Sequence, residues 1–338
     1  MSGKVCVKCP EAAVLAGVDV KKAVYCKNCF IQMVIHKFRS SISKKRIFKA
    51  IIVFDGTSSG VFLLRQVKES MEMSEYKKLM IKPTILVLVS ATENAEIEKV
   101  EAKIRELRLI LSDVPWFIVH VASALAKQNF VRSEKCQGVQ EINALDLLLK
   151  SCQTQTSRAE VKRILIEKTC IQVSKALGIS KILVPENGDY LGRLALTQLC
   201  LGRGPAVSEL TAVVDKRANK VWFVRPLRDI NKKEIALVNH LKGYEQDVIV
   251  LQRDKPAVTE RSIQSATTLL VDNLLAQGYK STITTVLSTA GKLHMLTSAQ
   301  YCSLCTLSGV DIGSNFCKSC LDLKKELSEP QLLDPLLF

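Results

Sequence analysis

The stretch from Lys49 to Gln66, KAIIVFDGTSSGVFLLRQ, constrains the fold more than any other, because period and chemistry both change within eighteen residues. An unbroken apolar run (Ala50 to Phe54) gives way to a Gly/Ser/Thr loop (Asp55 to Gly60). Apolar Leu63, Leu64 and Val67 then recur at helical spacing. The order predicts strand, loop, helix. Small residues in such a loop let backbone N–H groups approach a phosphate, and the helix start directs about half a positive charge at it. This is the phosphate-cradle geometry of open α/β sheets, whose ligands sit beyond the carboxyl ends of parallel strands. An ordinary βα turn favours the same residue types, so the loop alone leaves both readings open.

At 338 residues the chain is long enough for one sizeable core with appendages, or for two domains, and its 47% hydrophobic content predicts a globular protein. The longest uninterrupted apolar runs, such as Ile85 to Val89, fall far short of the roughly 18 residues a membrane span needs. The start of the chain lacks the charged, apolar and small-residue pattern of an export signal, which predicts a cytoplasmic protein.

Twelve cysteines without such a signal argue for metal or catalytic thiols rather than a disulfide framework. Eight of them form four CxxC pairs, two at each end of the chain. Cys6-x-x-Cys9 and Cys26-x-x-Cys29 are separated by sixteen residues, Cys302-x-x-Cys305 and Cys317-x-x-Cys320 by eleven. A CxxC turn places two sulfurs on one side of a tight knuckle, and two knuckles complete a tetrahedron, so two structural zinc sites are expected. Metal binding would supply most of the stability of modules this small, on the order of 10 kcal/mol.

The formal charge is +15, and it is concentrated: residues 1 to 50 hold eleven Lys/Arg against two acidic residues. Two four-thiolate zinc sites would lower the net charge to roughly +11. A polyanionic partner follows, and nucleic acid is the usual one. Directly after the first module, Phe30 to Ile42 has Phe30, Met33, Val34 and Phe38 on one side of a predicted helix, and Lys44, Lys45 and Arg46 follow. Lys37, Arg39, Lys44, Lys45 and Arg46 are the candidate phosphate-binding residues.

Downstream, Thr84 to Val89 and Trp116 to Val121 read as strands, with a helix from Glu96 to Leu111 between them. His120, inside the second, is expected to be packed and satisfied. Glu141 to Cys152 and Ser157 to Leu177 read as helices, the latter with a Ser157-x-x-Glu160 capping box and Gly178 as its stop. Lys181 to Val184 reads as a strand, followed by the loop Pro185 to Tyr190 and a helix from Leu191 to Leu201. Val221 to Val224 is a further strand, with helices at Lys232 to His240 and Ser262 to Gln277. Alternating strands and helices predict a doubly wound, mainly parallel sheet. Loops 55 to 60 and 185 to 190 would then face one crevice. The expected division is a zinc knuckle and basic helix at 1–43, an α/β domain at 44–295, a zinc ribbon at 296–325 and a tail at 326–338.

An α/β sheet with this loop and a zinc module at each end resembles the tRNA thiolation group of PP-loop ATPases, adenine nucleotide alpha hydrolase-like proteins. In that group the strand-loop-helix carries SGGxDS, whose backbone and serines hold the pyrophosphate of ATP. Asp55, Gly56, Thr57, Ser58, Ser59 and Gly60 occupy the six places, and only Gly56 is retained at its own position. A second loop, Gly-His-Asn-x-Asp-Asp in active members, is Pro185, Glu186, Asn187, Gly188, Asp189, Tyr190 here. The histidine and second aspartate are therefore missing. Leu201-Gly202-Arg203-Gly204, RPLRDINKKEIAL from Arg225 to Leu237, CFIQMVIHKFR from Cys29 to Arg39 and both CxxC sets are similar to the cytoplasmic tRNA 2-thiolation protein 2 family.

That resemblance implies a degenerate partner of an active paralogue, cytoplasmic tRNA 2-thiolation protein 1. The pair would thiolate the wobble uridine of cytosolic tRNAs for lysine, glutamate and glutamine, with sulfur from a thiocarboxylated ubiquitin-related modifier. Ser59 in the aspartate place removes a hard oxygen ligand suited to Mg2+, so ATP and Mg2+ are expected not to bind productively. Active relatives carry a mid-chain CxxC and a third cysteine beyond the helix after the last strand, whereas this chain has only Cys136 in the first region and none in the second. Cys136, Cys152, Cys170 and Cys200 therefore read as packed or incidental rather than catalytic. The leading reading is a non-catalytic, tRNA-binding subunit. Two alternatives stand beside it: an ATP-dependent tRNA sulfurtransferase in its own right, using Asp55, Ser58, Ser59 and Asp189 in altered roles, and a zinc-ribbon nucleic-acid adaptor unrelated to thiolation.

Overall fold

The structure is a computed structural model that describes residues 4–16, 23–43, 47–74, 78–126, 129–218, 220–249, 261–279, 281–293, 300–310 and 313–337. In chain order, β1 (Leu15–Ala16) and β2 (Val24–Tyr25) pair antiparallel beside the first cysteine set, and α1 (Lys27–Ser43) leads away from it. Then come β3 (Lys49–Phe54), α2 (Ser58–Met71), β4 (Lys82–Val89), α3 (Asn94–Leu107), β5 (Trp116–His120), α4 (Ile142–Ser151), α5 (Gln155–Leu177), β6 (Lys181–Leu183) and α6 (Gly188–Cys200). The short α7 (Val207–Leu210), β7 (Val214–Ala218), β8 (Val221–Val224), α8 (Lys232–Lys242), α9 (Ile263–Ala276), α10 (Thr282–Ala290) and α11 (Lys318–Lys325) complete the described elements.

The main sheet runs β5-β4-β3-β6-β8-β7, parallel except for β7 at one edge. Five of the six β3 residues are buried, as expected of a parallel strand covered on both faces. On one face α1, α2, α3 and α8 pack Phe38, Phe62, Leu64, Ile104 and Val238 against Ala50, Ile52, Ile85 and Val87. On the other, Cys170, Ile171 and Val173 of α5 cover Ile51, Leu86, Ile182 and Phe223. Each fully buried large side chain contributes roughly 1.5–3 kcal/mol.

The expected doubly wound sheet is therefore present, with corrections at several ends. The capping box of α5 is Thr154 with Ser157 rather than Ser157 with Glu160, so the helix begins at Gln155. Gly178 does stop it, in the left-handed conformation at φ 63°. Helix α6 begins at Gly188, not Leu191, because the Asn187 side chain accepts the Tyr190 N–H at 3.0 Å and caps it.

Several elements have no counterpart in the sequence reading, and two of them bear on the site. Strand β7 carries Asp215 and Arg217, which are buried as an ion pair, so its inward positions are polar and its period is concealed. Helix α10 packs on α6 where Gly192 leaves room: a Cβ there would meet Ile283 Cδ1 at 2.8 Å. The C-terminal cysteine set and the tail share one apolar cluster with α4, α5 and α6. Leu333 and Leu336 of the tail are fully buried, and Lys168 donates to the carbonyls of Leu336 and Leu337 at 3.1 Å each.

Candidate functional site

Strand order reverses between β3 and β6, so the loops leaving their carboxyl ends diverge and open a crevice, as doubly wound sheets do at such a switch point. The crevice is a cavity of about 530 Å3. Asp55, Thr57, Ser58 and Ser59 line it from the β3 side, and Glu186 and Asn187 from the β6 side. The two loops singled out in the sequence do face one cavity.

Within the first loop the hydrogen bonds close on themselves. Asp55 Oδ1 accepts from Thr57 N–H at 3.0 Å and from the Thr57 hydroxyl at 2.6 Å, while Thr57 Oγ1 accepts from Gly60 N–H at 3.1 Å as the α2 cap. Gly60 allows this, since a Cβ on it would meet Asp55 Oδ1 at 2.6 Å. Gly56 has φ 73° and abuts Ile249, which a Cβ would meet at 2.9 Å. This place therefore needs glycine for a backbone reason independent of any ligand. Asn187 Nδ2 donates to Ser59 Oγ at 2.9 Å, and Asn239 Nδ2 donates to Ser58 O at 2.8 Å. Asp189 leaves the crevice: its carboxylate accepts from Lys232 N–H at 2.5 Å at the start of α8 and lines a neighbouring cavity.

Behind the crevice lies a buried ionic network that sequence spacing does not reveal. Arg217 pairs with Asp215 at 2.7 Å and with Glu167. Arg225 pairs with Glu186 at 2.5 Å and with Asp215 at 3.2 Å, and Arg163 pairs with Glu160 and Glu167. Arg163, Arg217 and Arg225 thus line the cavity with their charge already compensated. A second arm runs to the C-terminal cysteines. Arg203 pairs with Glu160 and donates from Nη2 to Cys320 Sγ at 3.4 Å, and Arg217 Nη1 donates to the Cys305 carbonyl at 3.3 Å. The Leu-Gly-Arg-Gly run of the sequence is thereby explained, since it delivers the Arg203 guanidinium to the metal site.

Burial alone would disfavour the charged form of Glu160, but Arg163 and Arg203 override it and hold its carboxyl down to about 2. Its unfolded value is about 4.3. A depressed carboxyl contributes stability above the unfolded value, and that stability is lost as pH falls toward the folded one. The expected result is a loss of about 3 kcal/mol between roughly pH 4.3 and pH 2. Denaturant melts across pH 2 to 6 check it, and a Glu160→Gln chain should lack this component.

The four sulfurs of Cys6, Cys9, Cys26 and Cys29 lie within 4.8 Å of one another, as do those of Cys302, Cys305, Cys317 and Cys320. Separations of 3.6 Å (Cys9 to Cys26) and 3.8 Å (Cys305 to Cys317) match the edge of about 3.8 Å that a tetrahedron with 2.3 Å metal–sulfur bonds requires. Each set can hold one metal ion. The first is partly open, with Cys9 and Cys29 half-buried, whereas all four of the second are buried.

Of the four remaining thiols, three are packed. Cys136, Cys152 and Cys170 are buried, and Cys200 is exposed. Burial and the Glu101 carboxylate push the Cys136 thiol up to about 12, far from a reactive thiolate. His120 is fully buried and bonds both ways, to Ala91 O at 3.0 Å and from Ala122 N–H at 3.1 Å. Among the candidate phosphate-binding residues, Lys37 pairs with Glu234 at 2.7 Å and Arg39 touches Met73. Lys44, Lys45 and Arg46 lie outside the described residues.

No protein-family model matches the chain. In structure it is similar to the U34-tRNA thiolase NcsA from Methanococcus maripaludis, solved with its [4Fe-4S] cluster. The TM-score is 0.65 at 15% identity, covering 95% of this chain and 96% of that one, a likeness that bears on the fold alone. In sequence it is 26% identical to a cytoplasmic tRNA 2-thiolation protein 2 of Danio rerio, over 87% of this chain and 68% of the relative. The proteins of that name from Caenorhabditis briggsae and Caenorhabditis elegans are 40% and 41% identical, across 97% and 96% of this chain and 95% of each relative. Identity at that level from one end to the other makes this chain a member of the cytoplasmic tRNA 2-thiolation protein 2 family.

Proposed function

We propose that the chain is a non-catalytic, tRNA-binding subunit of a heterodimer that thiolates the wobble uridine at its 2-position. Cytoplasmic tRNA 2-thiolation protein 1 would be the active partner. In this reading the substrates are cytosolic tRNAs for lysine, glutamate and glutamine, and sulfur arrives as the thiocarboxylate of a ubiquitin-related modifier. The names of the relatives supply the pathway, and one observation supports the non-catalytic role.

That observation is the occupancy of the Asp55–Gly60 loop by its own carboxylate. A phosphate cradle offers unpaired N–H groups and a helix start to an incoming anion. Here Asp55 already accepts the Thr57 N–H and hydroxyl, and Thr57 caps Gly60 N–H. A nucleotide would have to displace a tethered negative charge, and Ser59 gives Mg2+ no carboxylate. Asn187, retained from the second loop, is engaged by Ser59. In this reading ATP and Mg2+ have no productive place in the crevice.

Zinc is the metal we assign to both cysteine sets. Their sulfurs crowd around a single point at tetrahedral spacing, whereas a four-iron cluster interposes its own sulfides and holds its cysteines farther apart.

The purified full chain, supplied with ATP, Mg2+, unmodified tRNA and a sulfur donor, is expected to yield no thiouridine on mass analysis of the digested tRNA. Adding the active paralogue restores it. Thiouridine made by the chain alone would overturn the non-catalytic reading. Neutralising Lys37, Arg39, Lys44, Lys45 and Arg46 together should weaken tRNA binding and flatten its salt dependence by roughly 0.7–0.9 in log–log slope for each phosphate no longer neutralised. Lys37, already paired with Glu234, contributes least.

A further inference from the structure

The crevice and the opposite end of the sheet differ in how their positive charge is held. At the crevice, Arg163, Arg217 and Arg225 are compensated by Glu160, Glu167, Glu186 and Asp215. At the amino ends of the parallel strands, lysines recur. Lys49 opens β3, Lys82 opens β4 and Lys220 immediately precedes β8, with Lys216 on the neighbouring edge strand β7. All four are exposed and no ion pair joins them to a carboxylate among the described residues, although the Lys216 ammonium lies 4.3 Å from the centre of the Trp222 ring.

Strand register puts two of these lysines at one level and a third one residue below it. Lys49 pairs with Lys82 directly. The alignment of Ile51 with Ile182, and of Lys181 with Trp222, sets Lys220 one residue below Val221, which is level with Lys49. Neighbouring strands lie about 4.8 Å apart, so the entries of β4, β3, β6 and β8 span roughly 14 Å. Lys220 has φ 67°, a conformation that favours glycine or asparagine, yet a lysine occupies it. Phe48 and Met80, at the same strand ends, are 66% and 68% exposed, with Phe48 O accepting from Lys82 N–H at 2.7 Å. The strip stops short of β5, the other edge strand, which is preceded by Asp113.

Exposed lysines without acidic partners are free to exchange condensed counterions for phosphates, whereas compensated arginines gain little from doing so. Apolar and aromatic side chains standing among them offer surfaces on which unpaired bases stack. We infer that the amino-terminal end of the sheet, carrying Lys49, Lys82, Lys216 and Lys220 around Phe48 and Met80, is a binding surface for the phosphate backbone of the RNA. It lies at the end of the sheet opposite the crevice. This rests on the tRNA reading above and adds to it where the RNA is held.

The test uses the full metal-loaded chain and an unmodified tRNA transcript with uridine at the wobble position. Replacing Lys49, Lys82, Lys216 and Lys220 together by glutamine should lower affinity at least about tenfold near 0.1 M salt and reduce the log–log salt slope by roughly 3. Phe48→Ala should weaken binding with little change in slope, because stacking is not electrostatic. In the wild-type chain, bound tRNA should protect these four lysines from chemical acetylation, a readout that does not depend on any variant folding. If the wild-type chain binds tRNA but the fourfold variant keeps its affinity and slope and the lysines stay unprotected, this inference falls and the tRNA reading survives. If the wild-type chain binds no tRNA, both fall.

Discussion

Cys320→Ser is expected to remove one equivalent of metal and to destabilise far more than the C-terminal module. Cys320 is fully buried, receives a hydrogen bond from Arg203, and belongs to the apolar cluster that joins α4, α5, α6 and the tail. Losing the metal leaves three thiols and the Arg203 guanidinium buried with their charge balance broken, and it withdraws binding free energy on the order of 10 kcal/mol. A domain has only about 5–15 kcal/mol to lose, so the main melting transition should fall by at least about 10 °C or vanish. Cys9→Ser is the contrast. Cys9 is half-buried in a module that packs on the body through α1, so one metal should be lost while the main transition moves only a few degrees. Metal analysis with thermal melting by circular dichroism reads both, and equal small shifts for the two variants would refute the coupling.

Asp215→Ala should cost about 3–5 kcal/mol, more than its one small side chain suggests. Asp215 is essentially inaccessible, and Arg217 and Arg225 share its carboxylate. Burial opposes its ionisation, and the two guanidiniums more than offset that and hold its carboxyl below the usual range. Truncation strands two buried cations, each left with one partial partner, at the wall of the crevice. Urea unfolding measures the loss. A change below about 1 kcal/mol would mean that the network relaxes around the missing charge.

How much of the molecule is legible in its sequence depends on the kind of signal each element carries. Strands β3, β4 and β5 are continuous apolar runs, because burial on both faces leaves no room for polar residues, and they stand out at once. Strand β7 does not, because its inward positions are Asp215 and Arg217. A charge buried by pairing looks, in one dimension, like a charge in water. The same blindness hides Glu160, which reads as a helix cap and is instead the hinge of the Arg163–Arg203 network. The tail is a further instance: four leucines in the last eleven residues announce burial without naming their partner, and Lys168 and the α4–α5 cluster supply it.

Local chemistry settles the rest of the site in advance. Two CxxC pairs at short separation admit few geometries, so both cysteine tetrahedra are legible from spacing. The strand-loop-helix at Lys49 to Gln66 is legible too, as are the residues its loop lacks. What the sequence by itself determined is therefore whatever depends on neighbours along the chain: turns, caps, periodic apolar faces and metal knuckles. Which charges face one another was decided by the tertiary structure alone. Those pairings depend on distances of a few ångströms between residues far apart in the chain, and no local pattern records them.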